Sequence, residues 1–130
     1  MNNNKGFTLV ELLATIAIIG IMSTIAIAGV TTIIKNAHNK FYQNQKNTIV
    51  SAAKSYYADH RILLPSEKNS SRKVTYQILK NTKYLTKITD HKKIECNPSS
   101  SEIEVTVTRI STDEYKYRLT KFICNGVDRN

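Results

Sequence analysis

Between Glu11 and Lys35 the chain lacks any ionisable side chain, so Leu12 to Ile34 is a run of 23 uncharged, mostly apolar residues. At about 1.5 Å per helical residue such a run can cross a hydrocarbon core of ~30 Å, so the chain is anchored in a membrane when it is made. Cysteine is nearly absent. Cys96 and Cys124 stand alone, with no second Cys or His pair beside either, which argues against a metal site. Histidine is equally sparse: His38, His60 and His91 have no partner at ligand or triad spacing, and no Ser, Cys or carboxylate pattern sets a nucleophile beside a base. The sequence therefore gives no enzyme, no metal and no cofactor. With 130 residues and 41% hydrophobic content, it has room for the anchor and one small domain only.

What is present is concentrated at the front. Gly6-Phe7-Thr8-Leu9-Val10-Glu11-Leu12-Leu13 places one carboxylate, Glu11, at the head of the uncharged run. A lone charge at the end of a membrane span is costly, which favours a state in which it meets a positive partner. These residues closely resemble the type IV prepilin signature, a short hydrophilic leader ending in Gly, then Phe, then Thr-Leu-Val-Glu-Leu opening a long apolar helix. The resemblance is strong from Gly6 to Leu13, generic to about Tyr57 and faint beyond.

The resemblance implies a division into a leader (residues 1–6), a transmembrane and filament-core helix (7–34) and an extracytoplasmic head (35–130). It implies that a prepilin peptidase cuts between Gly6 and Phe7 on the cytoplasmic side and that the new Phe7 amine is methylated. An ordinary secretory signal is cut after its apolar stretch and discarded, whereas this stretch is retained. Lys5 is the leader's only basic residue, so orientation rests on the motif more than on charge. In a bundle of staggered parallel helices, the Phe7 amine of one subunit can face the Glu11 carboxylate of a neighbour, neutralising two charges in an apolar setting. The implied product is a structural subunit of a type IV pilus-like filament, single-pass in the cytoplasmic membrane and then on the cell surface. Its implied partners are the membrane, fellow pilin subunits, the peptidase, a cytoplasmic assembly ATPase and a polytopic platform protein. A type II secretion pseudopilin and a minor or competence-type pilin that captures DNA share the same motif and stay open.

The helical pattern continues past the span to about His60, with Ala37, Phe41, Thr48, Ala52 and Tyr56 recurring at helical spacing. Pro65 and Ser66-Glu67-Lys68-Asn69-Ser70-Ser71 read as a loop, and Thr75 as the cap of a short helix carrying Tyr76, Ile78 and Leu79. The phrase from Val74 to Leu85 is similar to a short helix and turn that follows the long helix in several pilins. The last third switches to period two. Ile103, Val105 and Val107 alternate with Glu104, Thr106 and Thr108, and Ser111-Thr112-Asp113-Glu114 turns the chain into a strand with Tyr115, Tyr117 and Leu119 on one face. With Lys93-Ile94-Glu95-Cys96 as a first strand, this makes a three-stranded antiparallel meander covering the long helix, an α+β pilin fold.

Cys96 and Cys124 lie on the exported side, where a disulfide can persist, and pilins often close their C-terminal region with such a bridge; two buried thiols are the alternative. Setting aside Lys5 and Glu11, the chain's 19 basic and 10 acidic residues leave 18 and 9, a strongly basic head. Tyr56, Tyr57, Tyr76, Tyr84, Tyr115 and Tyr117 are interleaved with Lys54, Arg61, Arg72, Lys73, Lys116 and Arg118, a mixture that single-stranded nucleic acid binding uses, though tyrosine is more often core. Lys80, Lys83 and Lys87, beside Tyr76 and Tyr84, are the candidate DNA contacts.

Overall fold

In a computed structural model that describes residues 6–100 and 102–130, one long helix, α1 (Leu9–Asp59), leads into a short helix and a four-stranded antiparallel sheet. The chain divides into two compact units after Asn39.

In the first unit the uncharged run is helical throughout, and every described side chain from Gly6 to Asn39 is exposed. Its few hydroxyls do not interrupt the ladder. Thr15 donates to the Leu12 carbonyl and Thr24 to that of Ile21, while Ser23 reaches back to Ile19, each at 2.7 Å. Such back-bonding hides a polar group that would otherwise oppose an apolar solvent. Nothing lies within 4 Å of where a Cβ would stand on Gly20 or Gly29, so neither is required by packing inside this chain.

The second unit is the α+β head. The last turns of α1 bury Tyr42, Ile49, Ala52, Ala53, Tyr56 and Tyr57. The buried stripe is thus rotated from the expected one: Ala52 and Tyr56 belong to it, Phe41 is half-buried, and Thr48 is exposed. Two adjacent stripes of this segment carry apolar residues, and the sheet selects the one led by Tyr42 and Ile49, whose larger side chains meet Phe122 and the strands. The helix ends at Asp59. His60 folds back onto it, its Nδ1 2.9 Å from the Tyr56 carbonyl and its ring stacked on Tyr56 at 4.6 Å. A single 3₁₀ turn, Arg61–Leu63, and buried Pro65 follow.

The sheet has the order β1 (Ser71–Thr75), β2 (Ile103–Arg109), β3 (Tyr115–Cys124), β4 (Val127–Asp128). The β2–β3 hairpin forms where the alternation places it, with Ile103, Val105 and Val107 buried. Opposite them Tyr115, Tyr117 and Leu119 are half-buried, and then the inward parity changes to Phe122 and Cys124. The cause is a bulge. Val105 pairs with Leu119 but Glu104 pairs with Lys121, so Thr120 is inserted and shifts every later side chain to the other face.

Two expectations are corrected. The strand beside β2 is Ser71–Thr75, part of which read as loop, whereas Lys93–Cys96 contributes only the isolated bridge Thr89 to Glu95. Asp90 explains the difference. Its Oδ1 accepts the N–H groups of Lys92 and Ile94 at 2.9 Å each, and its own N–H donates to the Ile94 carbonyl at 2.8 Å, closing a tight turn in which Lys93 has φ +64°. Thr75 precedes α2 (Tyr76–Asn81) but its hydroxyl makes no capping bond, because Thr75 is still paired with Glu104 as the last residue of β1.

Candidate functional site

The front of α1 is organised by four residues. Thr8 is its cap: the Glu11 N–H donates to the Thr8 hydroxyl at 3.3 Å, while the Thr8 N–H and hydroxyl both donate to Glu11 Oε2 at 3.0 Å. This is a reciprocal capping box, Thr-x-x-Glu, satisfying orphan donors at both ends of the first turn. Glu11 therefore has a local role alongside any role between subunits. Thr8 escaped the sequence reading, although the spacing of Thr8 and Glu11 immediately before an apolar helix is itself the signal.

Phe7 and Gly6 precede the cap in exposed chain outside the helix, with Phe7 83% exposed. The Gly6–Phe7 peptide thus stands clear of helical hydrogen bonding. Residues 1–5, including Lys5, lie outside the described residues. Beyond the cap, α1 carries the one stretch among the described residues long and apolar enough to cross a membrane, with a mean hydropathy of 2.3 over 18 residues. Leu9, Ile19, Met22, Ile25 and Ile33 are among its exposed side chains. A continuous apolar surface of this kind needs lipid or other helices around it.

In the head, Cys96 and Cys124 form a disulfide. Both residues are buried, at 0% and 1% exposure. The bridge joins the end of β3 to the segment between α2 and β2. That segment is also held by the Cys96 N–H on the Ile88 carbonyl at 2.9 Å and the Ile123 N–H on the Glu102 carbonyl at 2.8 Å.

The three lysines considered for DNA are not equivalent. The Lys80 ammonium is hydrogen-bonded to Glu95 Oε1, which also accepts the Tyr76 hydroxyl at 3.0 Å. That hydroxyl in turn accepts the Ile88 N–H at 3.0 Å. The Lys80 ammonium and the Tyr76 hydroxyl, with Lys87 nearby, hold the Glu95 carboxyl below its ordinary range, partly opposed by desolvation. Burial, and then the hydrogen bond to Glu95, push the Tyr76 phenol up. Lys80 is thus the centre of a structural network, while Lys83, at φ +64°, and Lys87 are exposed. Of the six interleaved tyrosines, Tyr56, Tyr57 and Tyr76 are core residues, leaving Tyr84, Tyr115 and Tyr117 partly accessible.

His91 and Tyr42 are joined, with His91 Nδ1 3.1 Å from the Tyr42 hydroxyl, which accepts the His91 N–H at 3.2 Å. Among the described residues no group of three or more His, Cys, Asp or Glu is placed to hold a metal ion.

Residues 1–27 match the family model described as the prokaryotic N-terminal methylation motif. No curated protein and no solved structure matches the chain.

Proposed function

We propose that this chain, a prepilin-like protein by its methylation motif and its long helix and small antiparallel sheet, is a structural subunit of a type IV pilus-like filament. The observation that carries the reading is the capped, single-carboxylate start of a helix that is otherwise uncharged as far as Ile34 and whose described side chains over that stretch are all exposed. An isolated membrane anchor needs no carboxylate there, whereas a subunit leaving lipid for a helical bundle needs a polar feature that lipid penalises and a neighbour can satisfy. Cleavage between Gly6 and Phe7 creates a cation four residues before Glu11. Its own Glu11 is already engaged by Thr8, so the same capping box that stabilises the single helix presents an oriented acceptor to a second subunit's Phe7 amine.

In this reading a prepilin peptidase acts on the cytoplasmic side, the span holds the subunit in the cytoplasmic membrane, and an assembly ATPase and platform protein supply the work of extraction. The head, cross-linked by its disulfide, remains folded outside. Mass spectrometry of sheared, purified surface filaments tests the proposal. A peptide beginning at N-methylated Phe7 and the Cys96–Cys124 cross-link are expected; recovery of this chain only from membranes, with Met1 to Gly6 still attached, would overturn it.

A further inference from the structure

We propose that copies of this chain stack end to end, with the β2–β3 turn of one copy seated in the pocket that the Asp90 turn and β4 form at the opposite end of the next copy's head. The inference rests on the filament reading and names a contact that repeats along it.

The receiving pocket encloses about 300 Å³, and its walls include Asp90, Lys92, Ile94, Asn125, Val127 and Arg129. Its charge is one-sided. The carboxylate on those walls is already spent, because Asp90 Oδ1 accepts two backbone N–H groups and Oδ2 accepts the Asn125 amide at 3.1 Å. Asp128, on β4, accepts the Asn130 N–H at 2.9 Å. Lys92 and Arg129 are unspent: among the described residues neither forms an ion pair, and the Arg129 guanidinium, 4.4 Å from the centre of the Tyr42 ring, has its Nε buried without a hydrogen-bond partner. A cation in that state calls for an acceptor, and a carboxylate also matches its charge. Ile94 and Val127, 56% and 46% exposed, add an apolar rim.

The complementary surface is at the other end of the head. Tyr42 touches Arg129 and His91 of the pocket, whereas Ala58 lines a cleft with Asp113, and the stretch of α1 from Tyr42 to Ala58 is about 24 Å long. Ser111, Thr112, Asp113 and Glu114 are all exposed, and neither carboxylate is paired among the described residues. The turn is rigid before it meets anything. Arg109 Nε donates to the Ser111 carbonyl at 3.1 Å and Nη2 to that of Thr112 at 2.8 Å, with Nη1 on the Ser66 carbonyl, so the guanidinium is occupied with backbone oxygens and not with the two carboxylates. Ile110, 37% exposed, flanks the turn and can meet the rim of Ile94 and Val127.

Two different surfaces at opposite ends make a heterologous contact, which propagates into a polymer where a self-matching patch would close a dimer. Ion pairs at such a rim add little affinity but fix orientation. The helices supply association, and this contact sets the rotation between successive heads.

Carbodiimide, which joins a carboxylate to an amine only where the two touch, tests the contact on sheared filaments of the full chain. Peptide mapping should find Asp113 or Glu114 joined to Lys92 or Lys93, a link that a separation of about 24 Å forbids within one copy. The intrachain pairs Lys73–Glu104 and Lys80–Glu95 are the internal controls. Control links without the expected one, or Lys92 joined to a different protein, overturn the contact and leave the filament reading standing; absence of the chain from filaments overturns both. Asp113→Lys/Glu114→Lys should lower filament yield several-fold, and Lys92→Glu/Lys93→Glu added to the same chain should restore it. An unchanged yield in the first variant, or no restoration in a head that keeps its near-ultraviolet tyrosine signal, overturns the proposal as well.

Discussion

Removing the disulfide should cost the head a large part of its stability while leaving the front of α1 untouched. The two cysteines are 28 residues apart, and the loop-closure entropy of a ring of that size corresponds to ~3.5 kcal/mol in the chain-entropy model. Both sulfurs are fully buried, so Cys96→Ala/Cys124→Ala also leaves unfilled space, adding on the order of 1 kcal/mol. A total of about 4–5 kcal/mol is comparable with the lower end of the ~5–15 kcal/mol that holds an entire small domain together. At roughly 4–8 °C per kcal/mol for a unit of this size, the melting midpoint should fall by ~15–40 °C. The chain has no tryptophan, so the near-ultraviolet signal of its tyrosines, with Tyr42, Tyr57 and Tyr76 in the head core, reports head unfolding alone. Amide exchange should quicken first at Ile88–Cys96, whose bridge to Glu95 and bond from Cys96 to Ile88 depend on the cross-link for position, with residues 9–34 unchanged. A midpoint lowered by less than about 5 °C would mean that the core around Phe122 holds the segment without help, and would refute the reasoning.

Other consequences are as direct. Gly6→Val should leave unprocessed precursor in the membrane, seen as an intact N-terminus by mass spectrometry; normal trimming would show that the junction tolerates a branched side chain. Glu11→Gln and Glu11→Ala should preserve insertion and processing but lower incorporation into filaments several-fold, and Thr8→Ala should do so more mildly than either, Thr8→Ser restoring it; equal incorporation of all four variants would remove the capping box from assembly. Glu95 has its carboxyl held low by the Lys80 ammonium and the Tyr76 hydroxyl, so its contribution to stability is present above the ordinary value of 4.5 and lost as pH falls through the lower folded-state value. Thermal melts in acid should therefore show a smaller pH dependence in Glu95→Gln than in the parent chain, and identical profiles would contradict the linkage. If the head contacts DNA, replacing Lys83 and Lys87 should flatten the salt dependence by ~2 logarithmic units per decade, and adding Lys80→Ala should change it little because that charge is already paired; a gel shift absent at low salt would leave these lysines a solvation role.

The legible parts of this fold are those in which one period dominates. The 23-residue uncharged run and the Ile103-Val105-Val107 alternation leave little choice of conformation, and both elements form where those patterns place them. β1 was hidden because Ser71, Arg72 and Lys73 are all exposed and only Val74 points into the core, so the strand is defined by its ladder with β2 rather than by its own pattern. Lys93–Cys96 imitates a strand in composition, but the Asp90 carboxylate captures its backbone donors first. The face of α1 required knowledge of what it packs on, since neighbouring stripes are both apolar. The parity change after Leu119 depends on one inserted residue, Thr120, which no local propensity marks. At the candidate site, Glu11 and the Gly6–Phe7 junction were visible as a motif, and Thr8 was visible only as a spacing.

The outer edge of the sheet bears on how copies can be crowded together. β1 is bonded on one side only, to β2, and its exposed face and rim carry Arg72 and Lys73. An unpaired strand edge is a template for any other strand, and subunits stacked along a polymer meet one another at very high effective concentration. Two such edges brought side by side would oppose Arg72 to its copy, while the Lys73 ammonium is paired with Glu104 at 3.0 Å. In the filament proposed above, heads that repel at this edge lie close without fusing their sheets, and association falls to the apolar helices rather than to an amyloid-like ladder between sheets.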